Sequence, residues 1–92
     1  MKYTIVFTNN FKKDLRKCIS RGRDVSILEE VVDLLAETGT LPSKYKPHKL
    51  TGNYKGHWEC HLQPDWLLVW RQNDKELILL FTNTGTHADL FR

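Results

Sequence analysis

The segment YKGHWECHL, residues 54–62, decides the fold because its side chains alternate in character from one residue to the next. Every second position is mostly apolar, and the positions between are polar: Tyr54, Gly56, Trp58, Cys60 and Leu62 against Lys55, His57, Glu59 and His61. A period of two is typical of a strand buried on one face. The open face of this predicted strand carries two imidazoles and a carboxylate.

Upstream of this strand, the sequence predicts a first strand and then two helices whose apolar residues recur with a period of 3.6. Tyr3–Phe7 is rich in β-branched and aromatic residues and predicts a first strand. One helical stripe follows the cap candidates at positions 8–10: Phe11, Leu15, Cys18 and Ile19. Gly22 ends this helix, Asp24 caps a second, and Gly39 ends that one. The pattern predicts two helices joined by a short loop, an αα-hairpin.

Downstream, Trp66–Trp70 and Leu77–Phe81 are apolar runs that suit strands covered on both faces, with a hairpin turn at 72–74. An irregular connection is predicted over Thr40–Pro47, a turn over Asn83–Thr86, and a short tail over the last six residues. The predicted order is β-α-α-β-β-β. This is an α+β fold in which a two-helix N-terminal hairpin packs on an antiparallel sheet, as one domain over residues 1–92.

Charge is unevenly distributed, although the net charge of +3 is small. Residues 1–23 carry seven basic side chains and one acid, whereas residues 24–40 carry five acids and no base. This segregation indicates either a positive face that collects an anionic partner or two solvated helix faces of opposite sign. Met1–Thr8 resembles a strand instead of a signal peptide, and no apolar run is long enough to cross a membrane. We therefore expect a cytoplasmic protein with no membrane partner.

Two cysteines, Cys18 and Cys60, are predicted on apolar faces of a helix and a strand. Buried free thiols are the simpler interpretation, and a disulfide is the alternative.

Four histidines lie in the second half of the chain: His48, His57, His61 and His87. No nucleophile elbow, phosphate-binding glycine loop or paired CxxC motif accompanies them. Histidine titrates near neutrality, so several together suit proton transfer in both directions. Cleavage of RNA by its own 2′-hydroxyl needs little more, because it requires neither a protein nucleophile nor a metal.

Each histidine also has a structural explanation. His61 lies on a polar strand face where a solvated side chain is ordinary, although Asp65 in the following turn is placed to orient it. His48 follows Pro47 in a loop, and loops often display reactive groups. His87 follows a Thr-Gly-Thr turn, but it also belongs to the predicted C-terminal tail.

A metal site on the predicted strand is disfavoured by its spacing. His57, Glu59 and His61 share one face, but alternate residues are roughly 7 Å apart along a strand and the two imidazoles about twice that. One ion bound at about 2 Å from each ligand does not easily join the outer pair. We therefore expect no metal and no cofactor.

Two aromatic residues neighbour the candidate histidines. Trp66 follows Asp65, and Phe91 lies four residues after His87. Flat rings in such places suit the stacking of an unpaired RNA base. The alternative is that Trp66 begins a buried strand and Phe91 pins the tail. The pattern favours core for Trp66 and stacking for Phe91.

The same residues carry a resemblance to a known family. The segments are Tyr45–Gly52, Lys55-Gly56, His61–Trp66, Thr84–His87 and Leu90-Phe91. With the N-terminal strand and helix pair, they resemble the YafQ-like toxins of the RelE/ParE superfamily of type II toxin–antitoxin systems. The resemblance spans nearly the whole chain. It implies a RelE-like fold and a ribosome-dependent endoribonuclease that cuts mRNA in the decoding site and is silenced by an antitoxin.

The resemblance also implies roles for individual residues. His48, His61, Asp65 and His87 match the family's catalytic set, and Trp66 and Phe91 match aromatic residues near its RNA site. His87 would be the principal acid or base, His61 with Asp65 a second proton-transfer pair, and His48 a group that balances phosphate charge. The RNA backbone would be contacted by three lysines: Lys46, Lys49 and Lys55.

The sequence departs from the family at Asn83, where relatives carry an arginine. An amide cannot supply the positive charge that stabilises a phosphorane, so either a lysine compensates or turnover is slow. Two alternatives to the nuclease stay open: a ParE-type toxin that inhibits DNA gyrase without hydrolysis, and a small RNA-binding or metal-binding protein without catalysis. The histidines disfavour the gyrase inhibitor, because a pure binder needs no proton-transfer groups.

Overall fold

The structure is a computed structural model that describes residues 2–91. Met1, which the sequence analysis counted in a strand-like segment, and Arg92, which it counted in the tail, lie outside the described residues. The elements, in chain order, are β1 (Thr4–Phe7), α1 (Asn9–Ser20), α2 (Val25–Thr38), β2 (His48–Lys49), β3 (Trp58–Gln63), β4 (Trp66–Asn73), β5 (Ile78–Gly85) and α3 (His87–Leu90). Single 3₁₀ turns occupy Ser43–Tyr45 and Gly52–Tyr54. The chain therefore has an α+β fold, as predicted.

The two long helices begin and end at the predicted signals. Thr8 Oγ1 accepts a hydrogen bond from the Phe11 amide at 3.0 Å, and the Asp24 carboxylate accepts one from the Ser26 amide at 3.0 Å. Gly39 ends α2 in the left-handed conformation, with φ of 72°, and its amide donates to the Leu35 carbonyl. These local caps confirm the predicted helical hairpin.

The sheet has five strands in the order β1-β5-β4-β3-β2. Strands β2 to β5 pair antiparallel with their neighbours, but β1 runs parallel to β5. The sheet is therefore mixed, and the prediction of an antiparallel sheet was wrong at this edge. The partner of β1 is β5, and the helices and the other strands lie between the two in sequence. No local turn joins them, so the sequence does not reveal their relative direction.

The core lies between the helices and one face of the sheet. Phe11 of α1 and Val31 and Leu35 of α2 are buried against Leu68 and Phe81 of the sheet. All five residues of Trp66–Trp70 are buried, which confirms β4 as a central strand. The helices cover one face of the sheet, so polar side chains that meet a substrate lie on the other face or at the sheet ends.

Three boundaries differ from the prediction. The third strand begins at Trp58 instead of residue 54, since a 3₁₀ turn precedes it. The turn predicted over Asn83–Thr86 is largely the end of β5, because pairing with β4 continues as far as Gly85. The predicted tail instead contains helix α3, which a local capping box at its start stabilises.

Both cysteines are buried free thiols, as expected. Burial raises the pKa of the Cys60 thiol to about 12, so this group stays protonated at neutral pH. No helix within residues 2–91 is long and apolar enough to span a membrane.

Candidate active site

Three of the four histidines, carried by β2, β3 and the start of α3, have their rings close together. The ring centroids of His48 and His61 are 6.5 Å apart, and those of His61 and His87 are 5.9 Å apart. We call these three residues the histidine cluster, with His61 at its centre. Their side chains are 47%, 23% and 56% exposed in chain order, so the cluster faces solvent. An anionic substrate can therefore reach all three imidazoles.

Backbone carbonyls orient two of these rings. His48 Nδ1 lies 2.8 Å from the Lys46 carbonyl oxygen, and Lys46 adopts a left-handed conformation with φ of 50°. His61 Nδ1 lies 3.3 Å from the Pro64 carbonyl oxygen, next to a register shift after His61 in β3. Because carbonyl oxygens only accept, each of these Nδ1 atoms carries the proton when the hydrogen bond forms.

Glu59 lies beneath the histidine cluster and was not predicted as part of it. The residue is only 3% exposed, whereas the sequence placed it on an open strand face. Its Oε1 atom lies 3.1 Å from His48 Nε2 and 4.0 Å from His61 Nε2, and its Oε2 atom has no hydrogen-bond partner among the described residues. The short strand β2 explains the burial, since it pairs His48 directly with Glu59. The sequence feature that could have indicated this contact is that Glu59 precedes His61 by two residues, since alternate residues of a strand share a face.

The surroundings of His48 define its protonation chemistry. Its Nδ1 faces a carbonyl oxygen and its Nε2 faces the Glu59 carboxylate, so both ring nitrogens meet acceptors. Only the doubly protonated imidazolium donates to both. The buried carboxylate also stabilises a positive charge on this ring, because an unpaired buried charge is costly. His48 therefore lies between a backbone acceptor and a buried carboxylate, and both contacts fix its ring.

Asp65 contacts His87, and not His61 as predicted. Its Oδ1 atom accepts from the His87 amide at 3.3 Å and lies 3.4 Å from His87 Nδ1. The register explains this pairing, because Leu67 of β4 pairs with Gly85 of β5. Asp65 lies two residues before that pair and His87 two residues after it, so both emerge at one sheet end. Local sequence does not record this register.

His87 has one ring nitrogen available for chemistry. Its Nδ1 is held by Asp65, and its Nε2 makes no hydrogen bond to any residue between Lys2 and Phe91. An Asp–His pair of this kind fixes the tautomer and orientation of the imidazole while the other nitrogen exchanges protons. His87 is thus arranged as a general acid or base.

The two candidate stacking residues differ in burial. Trp66 is 1% exposed, its Nε1 donates to Thr84 Oγ1 at 2.9 Å, and the Arg23 guanidinium lies 5.5 Å from its ring. Stacking of RNA on Trp66 is therefore contradicted, because the ring belongs to the core. Phe91 is 38% exposed, and its ring centroid lies 6.0 Å from that of His87. It is available to a base beside the histidine cluster.

Lys46 adjoins the histidine cluster, whereas Lys49 points to the opposite face of β2, beside Trp58. Lys46 provides the carbonyl that orients His48, Lys49 lies on β2 with its Nζ 5.6 Å from the Trp58 ring, and Lys55 follows the 3₁₀ turn at 52–54. A cleft of about 470 Å³ opens beside His61, and Lys44 and Lys46 contribute to its wall. Positive charge therefore lies along a space that is large enough for an RNA backbone.

Asn83 lies within the sheet at the level of this site. It pairs with Val69 on β4, and Val69 in turn pairs with Glu59 on β3. No hydrogen bond involves the Asn83 side chain within residues 2–91. Asn83, where the family resemblance leads us to expect an arginine, is thus two strands away from the buried carboxylate.

The fold and the histidine cluster together describe a class: small α+β proteins with an open imidazole site at one sheet end. Comparison with known proteins makes this specific. Residues 3–92 match a family model described as the bacterial toxin of type II toxin–antitoxin systems, YafQ. The chain belongs to this family of toxins.

Three similar proteins illustrate the relationship. The mRNA interferase toxin YafQ of Escherichia coli (strain K12) is 39% identical over 88 residues, which cover 95% of this chain and 94% of the relative. A crystal structure of the E. coli DinJ–YafQ complex matches with a TM-score of 0.89 and 35% identity, over 99% of this chain and 100% of that one. A crystal structure of a metal-bound toxin from Helicobacter pylori matches with a TM-score of 0.87 and 40% identity, over the same shares.

Metal-ligating side chains lie at the site, but among the described residues they are not gathered into a metal centre. No group of three or more His, Cys, Asp or Glu residues within positions 2–91 is arranged to hold a metal ion. Glu59 Oε1 lies within hydrogen-bond distance of His48 but 4.0 Å from His61. The donors described around the histidine cluster therefore do not fit a metal centre.

Proposed function

We propose that this protein is an endoribonuclease toxin that cleaves mRNA on the ribosome and is neutralised by a cognate antitoxin. The observation that carries the proposal is the histidine cluster, in which His87 offers a free Nε2 beside two further imidazoles. The E. coli relative is an mRNA interferase toxin, and its similarity to this chain supports the same activity. Cleavage at the ribosomal decoding site follows from the family resemblance.

The reaction is attack of the 2′-hydroxyl oxygen of the RNA on the phosphorus of the adjacent phosphodiester. A base removes the 2′ proton, the 2′ oxygen bonds to phosphorus, and the bond from phosphorus to the 5′ oxygen breaks as an acid protonates that oxygen. The products are a 2′,3′-cyclic phosphate and a 5′-hydroxyl, and no covalent enzyme intermediate forms. Two proton-transfer groups and a positive charge suffice for this reaction.

The histidine cluster divides these tasks. His87 acts as the principal acid or base through Nε2, because Asp65 holds its other nitrogen. His61 lies between the other two rings and provides the second proton-transfer group, with Nδ1 held by the Pro64 carbonyl. His48, paired with Glu59, contributes positive charge to the scissile phosphate.

Residues around the cluster hold the RNA. Phe91 stacks on a base next to the scissile phosphate, since its exposed ring lies beside His87. Lys46 and Lys55 contact the backbone and position the strand without reading its sequence, whereas Lys49 faces Trp58 and is not part of this contact. Lys46 and Lys55 also supply part of the positive charge for which the family resemblance leads us to expect an arginine at position 83.

The antitoxin is the second protein partner. The solved complex of DinJ with YafQ supports the expectation that an antitoxin protein binds this fold. The outer side of α1 is exposed and basic, with Lys12, Lys13, Arg16 and Lys17. An acidic segment that folds on binding would complement this surface.

The test compares this protein with a His87→Ala variant, both purified and supplied to a translation reaction with a defined mRNA. We expect cleavage with 5′-hydroxyl ends, reduced on the order of 10²-fold or more in the variant. Cleavage of the same mRNA without ribosomes would overturn ribosome dependence alone. Intact mRNA with arrested growth of the expressing cells would instead favour a gyrase inhibitor, and intact mRNA with normal growth a binding protein without catalysis.

Independence from metal is tested in the same reaction. The protein is dialysed against EDTA and then assayed with chelator present and with ribosomes whose Mg²⁺ is restored. We expect the cleavage rate to stay within about twofold of that of the undialysed protein, because general acid–base catalysis by imidazole needs no metal. A rate that returns only on addition of zinc or copper would contradict the mechanism above.

A further inference from the structure

Helix α3 carries His87 at its start and is held at that end by a capping box. Thr86 Oγ1 accepts from the Asp89 amide at 3.1 Å, and Asp89 Oδ2 accepts from the Thr86 amide at 3.0 Å. Two backbone donors that a helix start leaves free are satisfied in this way. A helix of four residues has little stability of its own, so contacts outside it determine its orientation.

One outside contact comes from the end of α1. Arg21 Nη1 donates to Asp89 Oδ2 at 2.8 Å, across 68 positions of sequence. The Asp89 side chain is 17% exposed and that of Arg21 is 45% exposed. The Thr86 amide and the Arg21 guanidinium lower the pKa of Asp89 to about 2, so the carboxylate is charged at neutral pH. We call Arg21, Thr86 and Asp89 the α3 clamp.

The junction between the end of α1 and the start of α3 is held mainly by polar contacts, because apolar side chains leave a cavity there. A cavity of about 350 Å³ lies at the junction, and its wall includes Cys18, Trp66 and all three residues of the α3 clamp. Gly85 passes close to the clamp, where a Cβ would lie 2.8 Å from Asp89 Oδ2. The carboxylate therefore packs directly against the backbone that leads into His87.

We propose that Arg21 and Asp89 are positioning residues for RNA cleavage. Their ion pair ties the start of α3 to α1, and this fixes His87 and Phe91 relative to His61. The inference rests on the nuclease activity proposed above. Its physical basis is that small displacements of a catalytic group lower the rate steeply, while substrate binding elsewhere is unaffected.

Direct binding of RNA by Arg21 is the competing explanation, since the residue also belongs to the basic N-terminal segment. The two explanations predict opposite effects of Asp89→Asn. If Arg21 contacts RNA, removal of its carboxylate partner leaves the cation free and strengthens binding. If the ion pair positions His87, the same change lowers kcat, as Arg21→Gln does.

The experiment measures cleavage by Arg21→Gln, Asp89→Asn and the double variant, with Lys75→Gln as the control. Lys75 is an exposed cation in the β4–β5 turn and makes no ion pair within residues 2–91. We expect each single variant to lower kcat about tenfold with KM changed less than twofold, the double variant to be no worse than the poorer single one, and Arg21→Lys to recover most of the rate. A raised KM with constant kcat in Arg21→Gln, or faster cleavage by Asp89→Asn, would overturn the proposal.

A structural measurement separates this inference from the nuclease proposal. In NMR spectra without RNA, Arg21→Gln should raise the titration midpoint of the Asp89 carboxyl and speed hydrogen exchange at the Leu90 and Phe91 amides, which donate to Thr86 and His87 carbonyls. Unchanged exchange would overturn the positioning role even in an active enzyme. A wild-type protein that cleaves no RNA but shows these NMR changes would contradict the nuclease proposal and leave the clamp in place.

Discussion

At the scale of single residues, Glu59 has the most unusual environment in the site. Its carboxylate is buried, one oxygen faces His48, and the other has no hydrogen-bond partner among the described residues. Burial of a charge is costly unless it is paired, so this carboxylate destabilises the fold if His48 is neutral. The contact with His48 is therefore the one that offsets the cost of burying this carboxylate.

Substitution Glu59→Gln tests this idea, because glutamine preserves the shape and removes the charge. We expect the cleavage rate to fall about tenfold, since the positive charge on His48 loses its partner. The thermal midpoint of unfolding should change little, because the lost contact with His48 and the removal of a buried charge act in opposite directions. Wild-type activity in the variant, measured at equal protein concentration on a defined mRNA, would contradict a catalytic contribution.

Asn83 provides a gain-of-function test at the same scale. Because Asn83 lies level with Glu59 through Val69, a longer cationic side chain there can reach the site face. We expect Asn83→Arg to raise kcat several-fold, on the order of 1 kcal/mol of transition-state stabilisation. Asn83→Gln serves as the control for side-chain length, and an equal rate in both variants would contradict the electrostatic explanation.

At the scale of elements, the helix ends are the features that the sequence specifies best. Caps at Thr8, Asp24 and Gly39 are local signals, and each is found where it was predicted. The alternation around Trp58 likewise predicted β3. Features that depend on pairing between distant segments were missed: the parallel strand β1, the Asp65–His87 contact, and the burial of Glu59 beneath β2.

The same distinction applies to the candidate site. His48, His61 and His87 were singled out by residue type and family resemblance, and the structure brings their rings together. The resemblance placed Trp66 near the RNA site, but its burial confirms the core interpretation that the apolar pattern favoured. Burial and partner choice follow from register, which local sequence does not fix.

Gly39 gives a stability prediction at the scale of elements. It ends α2 with φ of 72°, and a Cβ there would lie 2.5 Å from the Tyr3 hydroxyl oxygen and 2.8 Å from its ring. We expect Gly39→Ala to lower the free energy of unfolding by about 1–3 kcal/mol, measured by chemical denaturation. Gly22→Ala is the matched control, because its φ is also positive but its Cβ would meet no atom within 4 Å. Equal losses in both variants would assign the effect to φ alone.

At the scale of the whole molecule, carboxylates link stability to pH. Hydrogen bonds lower the folded-state pKa of Asp24 and Asp74, and the Thr86 amide with Arg21 lowers that of Asp89 to about 2. A lowered folded-state pKa contributes stability above the unfolded value of about 3.8, and this contribution is lost as pH falls through the folded value. Asp14 acts in the opposite direction, because burial raises its pKa.

Acid denaturation measures this balance. We expect the denaturant midpoint to fall as pH is lowered from about 4 to 2, with a smaller fall in Asp89→Asn, because that variant lacks the carboxylate with the largest shift. Identical pH profiles for the two proteins would contradict a stabilising role for Asp89.

Strand order has a consequence for synthesis of the chain. The strand made first, β1, finds its partner only in the strand made last, β5, and α3 with His87 follows that strand. A nascent chain that already contains His48 and His61 therefore lacks both its closing strand and its third imidazole. Among the described elements, each molecule thus completes the histidine cluster last, after the strands that must hold it have been translated.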